Sequence, residues 1–281
     1  FHHTSFMSSK KNSGRSGKTL AQKADRHALY EKAVQCVEAE IDMVDETFLE
    51  LRGRRARTLR EDFCGTAQTG CEWARRRKRN LAIGVDLDPE VLAWGHRHNV
   101  AKLAPETRKR VALRQENVLD YANDPVDIVI AMNFSYQLFK TRARLREYFA
   151  SVRNGLKEDG IFFLDAYGGY EACKEVKERT KYEGFTYIWD QTKYNPIDGH
   201  MLCHIHFSFP DGSKLKRAFT YNWRLWTLPE LREILLEAGF SKSTVYWEGT
   251  DKETGEGNGE YTASEVGDAD PSWICYLSAE K

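Results

Sequence analysis

The chain has 281 residues, enough to bury a sizeable core, and its 42 Lys and Arg balance 42 Asp and Glu, so no net field draws it to nucleic acid or an anionic membrane. No stretch approaches the roughly 18 to 20 apolar residues that span a bilayer, and the start lacks a signal peptide's apolar core, so a soluble cytoplasmic protein is expected. Cys36, Cys64, Cys71, Cys173, Cys203 and Cys275 are scattered without C-x-x-C spacing, which argues against a zinc knuckle or a disulfide framework and leaves reduced thiols and a small-molecule partner.

The opening "FHHTSF" looks like the remnant of an expression tag, and "MSSKKNSGRSGKTLAQK" is polar, basic and Gly/Ser-rich. Residues 1–22 are therefore expected to be a disordered tail, with one domain over 23–281. From Asp25, Leu29, Ala33, Val37, Ile41, Val44 and Phe48 recur at three- and four-residue spacing up to Gly53, which predicts one amphipathic helix or two.

Short β-like and helical segments then alternate. "RTLREDF" precedes a helix over about 67–79, and "LAIGVD" precedes one over about 89–104, where Asp88 caps and Pro89 fills the first turn. "RVALRQENV", "VDIVIAMNF", a helix over about 142–156 and "GIFFLDAY" follow. Five strands with helical crossovers imply an α/β, doubly wound parallel sheet.

After Tyr167 the rhythm changes. Residues 183–223 read as three strands joined at Asp198-Gly199 and Asp211-Gly212, dipeptides suited to tight hairpin turns. This predicts an antiparallel meander inserted after the fifth strand, with 168–223 forming a lid or substrate subdomain. Thr227 and Glu230 then make a capping box, Gly239 ends the helix, and "STVYWEG" and "SWICYLSAE" pair antiparallel across a Gly-rich, acidic connection.

That reversed ending, together with Glu61-Asp62-Phe63-Cys64-Gly65-Thr66-Ala67, resembles the class I S-adenosylmethionine-dependent methyltransferases. In that family an acid is followed by G-C-G-T-G; here "CGT" is intact, Phe63 stands for the first glycine and Ala67 for the last. The resemblance extends over roughly residues 25–281 and implies a mostly parallel seven-stranded sheet with an antiparallel last strand, and S-adenosyl-L-methionine as cofactor. Physically, Gly65 permits close approach of backbone to ligand, and the helix that follows presents free N–H groups.

The resemblance also implies a set of cofactor residues. Asp86, with Leu87 beside it, ends the second strand where a carboxylate can accept from both ribose hydroxyls. Asn117 and Val118 match the adenine position, Met132 and Asn133 flank the cofactor, and Glu61, Cys64, Gly65 and Thr66 form its loop. Tyr30, from the N-terminal helix, reaches toward the methionine end. Phe134, Tyr136, Tyr167, His204 and Tyr221 are expected to face the substrate.

His204 and His206 lie two apart on a strand and share a face, but no third ligand is spaced to join them, so no metal is expected. The run Arg75 to Arg79 reads as cations at a helix C-terminus. The resulting expectation is a methyltransferase acting on a nitrogen or oxygen of a small or medium-sized acceptor, with Tyr136 favoured as general base and His206 or His204 as alternatives. An NAD(P)-dependent oxidoreductase, or a non-catalytic binding protein on the same frame, remains the competing reading.

Overall fold

The computed structural model describes residues 17–281; the expected tail up to residue 16 lies outside the described residues. The first helix, α1 (Leu20–Lys23), begins inside the segment expected to be structureless. Leu20 N donates to Asp211 at 2.9 Å and Ala21 N to Ser213 Oγ at 3.0 Å. Those partners are distant in sequence, so local composition could not reveal the order. The apolar repeat that follows forms two helices, α2 (Arg26–Ala33), capped by Asp25, and α3 (Val37–Arg52), which ends where Gly53 turns left-handed at φ +64°. Ile41, Val44 and Phe48 of α3 pack against the main sheet at Ile128, Ile161 and Phe163.

Alternating units come next: β1 (Thr58–Asp62), α4 (Gln68–Arg76), β2 (Leu81–Asp86), α5 (Pro89–His98), α6 (Pro105–Arg108), β3 (Val111–Gln115), β4 (Val126–Ala131), α7 (Arg142–Asn154) and β5 (Leu156–Gly168). Strands β6 (Val176–Tyr182), β7 (Phe185–Asn195), β8 (His200–Ser208) and β9 (Lys214–Arg224) form a separate sheet. The chain closes with α8 (Leu228–Glu237), β10 (Lys242–Thr250), β11 (Gly257–Ala263) and β12 (Trp273–Glu280).

The main sheet has the order β11-β10-β12-β5-β4-β1-β2-β3. β1 to β5 are parallel, and β12 runs antiparallel to both β5 and β10, so the last strand is reversed within the frame. Every residue of β4 is buried, as a central strand covered on both faces must be. The sheet has eight strands where seven were expected. β11 is the addition, an exposed edge built from the Gly-rich segment read as a connection.

The inserted sheet likewise has four antiparallel strands where three were expected. The missed one, β6, is an exposed edge with no apolar alternation to betray it. Gly199 and Gly212 occupy the hairpin turns at φ +71° and +81°, a region glycine enters without strain. The apolar face of this sheet, with Ile205, Phe207 and Phe219, packs on Leu29, Tyr30 and Val34 of the N-terminal segment. The second sheet and α2 thus form one layer over the carboxyl ends of β1, β2 and β4.

Ion pairing accounts for much of the basic run at the end of α4: Arg76 meets Glu72 and Asp42, and Arg77 meets Asp45. Among the described residues, no helix is long and apolar enough to cross a membrane.

Candidate active site

The loop after β1 sets the geometry. Phe63, Gly65 and Ala67 take φ of +56°, +53° and +61°, so the two residues standing in for glycines hold the left-handed backbone that glycine favours. Each costs roughly 1–2 kcal/mol over an ordinary conformation. Three hydrogen bonds fix the path: Cys64 N to Val85 O at 3.0 Å, Ala67 N to Cys64 O at 2.9 Å, and Gly65 N to Asp86 Oδ2 at 2.8 Å. α5 crosses so closely that a Cβ at Gly95 would lie 2.4 Å from the Thr66 carbonyl oxygen.

Beneath the loop, Arg60 and Asp62 point to the same side of β1 and form a fully buried ion pair at 2.7 Å. Tyr148 donates its hydroxyl to Asp62 at 2.7 Å, and Arg60 donates to Asn123 at 2.9 Å. The Phe63 ring packs over Tyr148 and Phe139, with centroids 5.6 and 6.2 Å away. Sequence reading passed over Arg60 and Asp62, although two opposite charges on one face of a buried strand were a usable signal.

A cavity of about 530 Å³ opens at the carboxyl ends of β1, β2 and β4. Tyr30, Glu61, Cys64, Gly65, Thr66 and Asp86 line it, and Met132 and Asn133 close its far wall. It continues past Phe63 and Asp86 into a second space of about 590 Å³, lined by Leu87, Asn117 and Val118. Leu87 is 65% exposed, an apolar side chain held out at the rim. Asp86 accepts from Gly65 N at 2.8 Å and Asp88 N at 3.0 Å, which leaves about half of a carboxylate's four acceptor positions for a ligand.

The floor of the first cavity is acidic. Glu61 is only 6% exposed, and its Oε2 has no partner; the same holds for Gln35 Oε1, on the same cavity wall. Burial, reinforced by Glu40, raises the Glu61 carboxyl well above its ordinary range. Burial and Asp165 push Glu40 up to about 8, and burial pushes Asp165 up to about 7. Above Asp165, Asn133 and Phe134 are consecutive left-handed residues at φ +58° and +59°. Both of their N–H groups donate to the Asp165 carboxyl at 2.8 Å, which holds the strained turn in place.

A third cavity of about 180 Å³ lies under the inserted sheet and shares Tyr30, Asn133, Tyr221 and Trp223 with the first. Phe134, Tyr167 and Tyr221 line it, as do Tyr187 and Trp189, which were not among the expected site residues. Phe134 packs edge-on against Tyr167 at 4.7 Å, and Tyr221 lies 4.4 Å from Trp223.

Three expected residues are elsewhere. Tyr136 is fully buried, lines none of these cavities and donates its hydroxyl to the Asp165 carbonyl at 2.8 Å; burial, with Asp165 adding, raises its phenol well above the usual range. It is a core residue, turned inward by the reversal at Asn133 and Phe134, and is unsuited to act as a base. His204 and His206 share a face, but the cavity side of β8 carries Ile205. His204 bonds Thr220 at 2.9 Å, and His206 bonds Asp190 at 3.0 Å while accepting from Arg217 N at 2.8 Å. Neither histidine lines the cavities described above. Among the described residues, no cluster of three His, Cys, Asp or Glu side chains could hold a metal.

One tie between elements had no sequence signal. Glu31 of α2 accepts from the Thr66 hydroxyl and from Asn99 Nδ2, both at 2.6 Å. The Thr66 side chain therefore anchors the covering helix and does not face the cavity floor.

No protein-family profile and no curated protein sequence matches the chain. Its fold is that of solved S-adenosylmethionine-dependent methyltransferases. It is similar to a methyltransferase of that kind from Clostridium acetobutylicum at 17% identity and TM-score 0.64, over 90% of this chain and 96% of that one. It is also similar to CalS10, an amino pentose methyltransferase from Micromonospora echinaspora, at 17% identity and TM-score 0.63, over 91% and 96% of the two chains. The sugar N-methyltransferase KedS8 from Streptoalloteichus aligns over 99% of both chains at 16% identity and TM-score 0.60.

Proposed function

We propose that this protein is a cytoplasmic enzyme that transfers the methyl group of S-adenosyl-L-methionine to a nitrogen or oxygen of a small or medium-sized acceptor. The observation that carries the reading is the junction of two cavities at Tyr30, Asn133 and Tyr221. One side is built from the loop and strand ends that suit the cofactor, the other from an inserted aromatic sheet. The fit to the cofactor rests on unpartnered groups. Glu61 Oε2 and Gln35 Oε1 are buried acceptors awaiting a donor, which an amino acid's ammonium supplies.

Each residue then has a task. Asp86 accepts from the ribose hydroxyls, Asn117 reads the adenine edge, and Leu87 and Val118 cover the ring's faces. The Gly65 and Thr66 backbone approaches the methionine portion, with Glu61 beneath its ammonium. When bound, S-adenosyl-L-methionine supplies an electrophilic methyl on sulfur. The protein's part is to align the acceptor in line with that methyl and to exclude water, and α2 with the inserted sheet makes the cover. Tyr30 and Tyr221, which line both cavities, hold the passage between the two sites.

Titration calorimetry with S-adenosylmethionine and S-adenosylhomocysteine tests the reading. Saturable binding of both is expected, together with mass-spectrometric detection of either in the purified protein. A folded protein with affinity for neither would falsify the assignment.

A further inference from the structure

We infer that the acceptor is an amine, and that the cavity under the inserted sheet is an aromatic box for the cation this amine becomes. The inference rests on the methyl-transfer reading and narrows it to one substrate class. Phe134, Tyr167, Tyr187, Trp189, Tyr221 and Trp223 contribute rings to a space of only about 180 Å³. Trp189 of β7 lies 6.0 Å from Tyr221 and 6.2 Å from Trp223, both of β9, so the rings enclose the space across the intervening strand β8. Aromatic faces carry negative potential and attract ammonium groups.

Charge at the lining points the same way. Among the described residues that line it, Glu171 and Glu178 are the formally charged ones, and none is Lys, Arg or His. Glu171 is paired with Lys174 at 2.8 Å, whereas Glu178 stands on the exposed strand β6. An anionic acceptor would find no partner among these groups.

The chemistry separates amines from alcohols. A neutral amine's lone pair forms the new nitrogen–carbon bond while the carbon–sulfur bond breaks and leaves its pair on sulfur. Positive charge thus leaves the sulfonium and appears on nitrogen, inside the box. The amine sheds its proton to water before it enters, so no protein base is required. A hydroxyl acceptor must also lose a proton to a base; burial keeps Tyr30, Tyr167, Tyr187 and Tyr221 as neutral phenols, which leaves that task to Glu178 on the exposed edge strand or to Glu171, already paired with Lys174. Further methylation of the first product only strengthens the cation's fit.

Choline and 3,3-dimethyl-1-butanol have the same shape and differ in charge, so fluorescence titration of the intact protein with each tests the box without turnover. Choline should bind at least tenfold tighter than the neutral alcohol. Trp189→Ala should lower choline affinity at least fivefold and leave S-adenosylhomocysteine affinity within twofold. Glu178→Gln, on an exposed edge where folding is safe, should lower choline affinity severalfold. Equal affinity for the two probes, or tighter binding of the alcohol, overturns the box. If S-adenosylhomocysteine binds and choline shows no preference, the amine assignment falls while methyl transfer stands. If choline binds selectively and S-adenosylhomocysteine does not bind, the box stands and the transfer reading falls.

Discussion

The hydroxyl of Thr66 donates to Glu31 at 2.6 Å, which ties the loop after β1 to the helix that covers it. A second tie holds the other end of that helix, where Trp94 Nε1 donates to Asp25 at 2.7 Å. The helix is therefore fastened to the loop after β1 and to α5, and not only to its own neighbours in sequence. Thr66→Val keeps the shape and removes the hydroxyl. It should weaken S-adenosylmethionine binding by up to about 1.5–3 kcal/mol, the scale of a hydrogen bond to a charged group. Calorimetry on a variant with an unchanged melting temperature checks this, and undiminished affinity would show that the helix contributes nothing to cofactor binding.

Asp86 joins the loop to the proposed ribose site, since the same carboxylate holds Gly65 N and faces the cavity. Asp86→Asn is nearly isosteric and removes the charge. Cofactor affinity should fall by about 1.5–3 kcal/mol. A loss equal for adenosine and for the whole cofactor would locate the effect at the ribose, whereas a loss confined to the whole cofactor would locate it elsewhere.

The Arg60 and Asp62 pair is buried beneath the loop, so removing one partner strands the other's charge. Asp62→Asn should destabilise the fold by about 3–5 kcal/mol, measured by denaturant unfolding. Replacing both, as Arg60→Met with Asp62→Leu, should recover much of that loss. If the double variant is as unstable as the single one, the pair's role in shaping the loop outweighs the cost of the stranded charge.

Glu40 carries a pH dependence with a definite sign. Its folded pKa of about 8 lies above the ordinary 4.5, so below pH 4.5 both folded and unfolded chains keep the proton. As pH rises, the unfolded chain releases the proton first, and stability falls until the folded group ionises near pH 8. Glu40→Gln removes this contribution. The variant's stability relative to the original chain should therefore rise between pH 5 and pH 8, by roughly 2 kcal/mol or more. A difference that stays flat over that window would mean Glu40 is ionised in the folded protein. Asp165 and Glu61 lie close enough to be affected by the substitution, and less repulsion from residue 40 shifts both in the same direction.

The parallel frame was legible because its signals are local. Asp88 followed by Pro89 marks a helix start, the apolar run Ile128 to Ala131 in β4 marks a central strand, and Asp198-Gly199 and Asp211-Gly212 mark turns, whatever lies around them. The reversed final strand followed from a segment with no helix between two strands. β6 and β11 escaped because edge strands exposed to water need no apolar alternation, and their existence depends on a neighbour's unpaired backbone.

Side-chain direction was decided only in three dimensions. Two-residue spacing put His204 and His206 on one face, but which face meets the cavity depends on how the inserted sheet docks on α2, and that docking turned Ile205 inward. Tyr136 follows the strand that leads into the site, yet the left-handed pair Asn133 and Phe134, held by Asp165, rotates it into the core. The sequence by itself determined the frame, since helix caps, turns and apolar periodicity are properties of neighbouring residues. Only the tertiary structure decided that Phe63 and Ala67 could stand where glycines usually do. Their backbone strain is offset by partners brought in from β2, α7 and the buried Arg60 and Asp62 pair, and a contact between distant segments has no local signature.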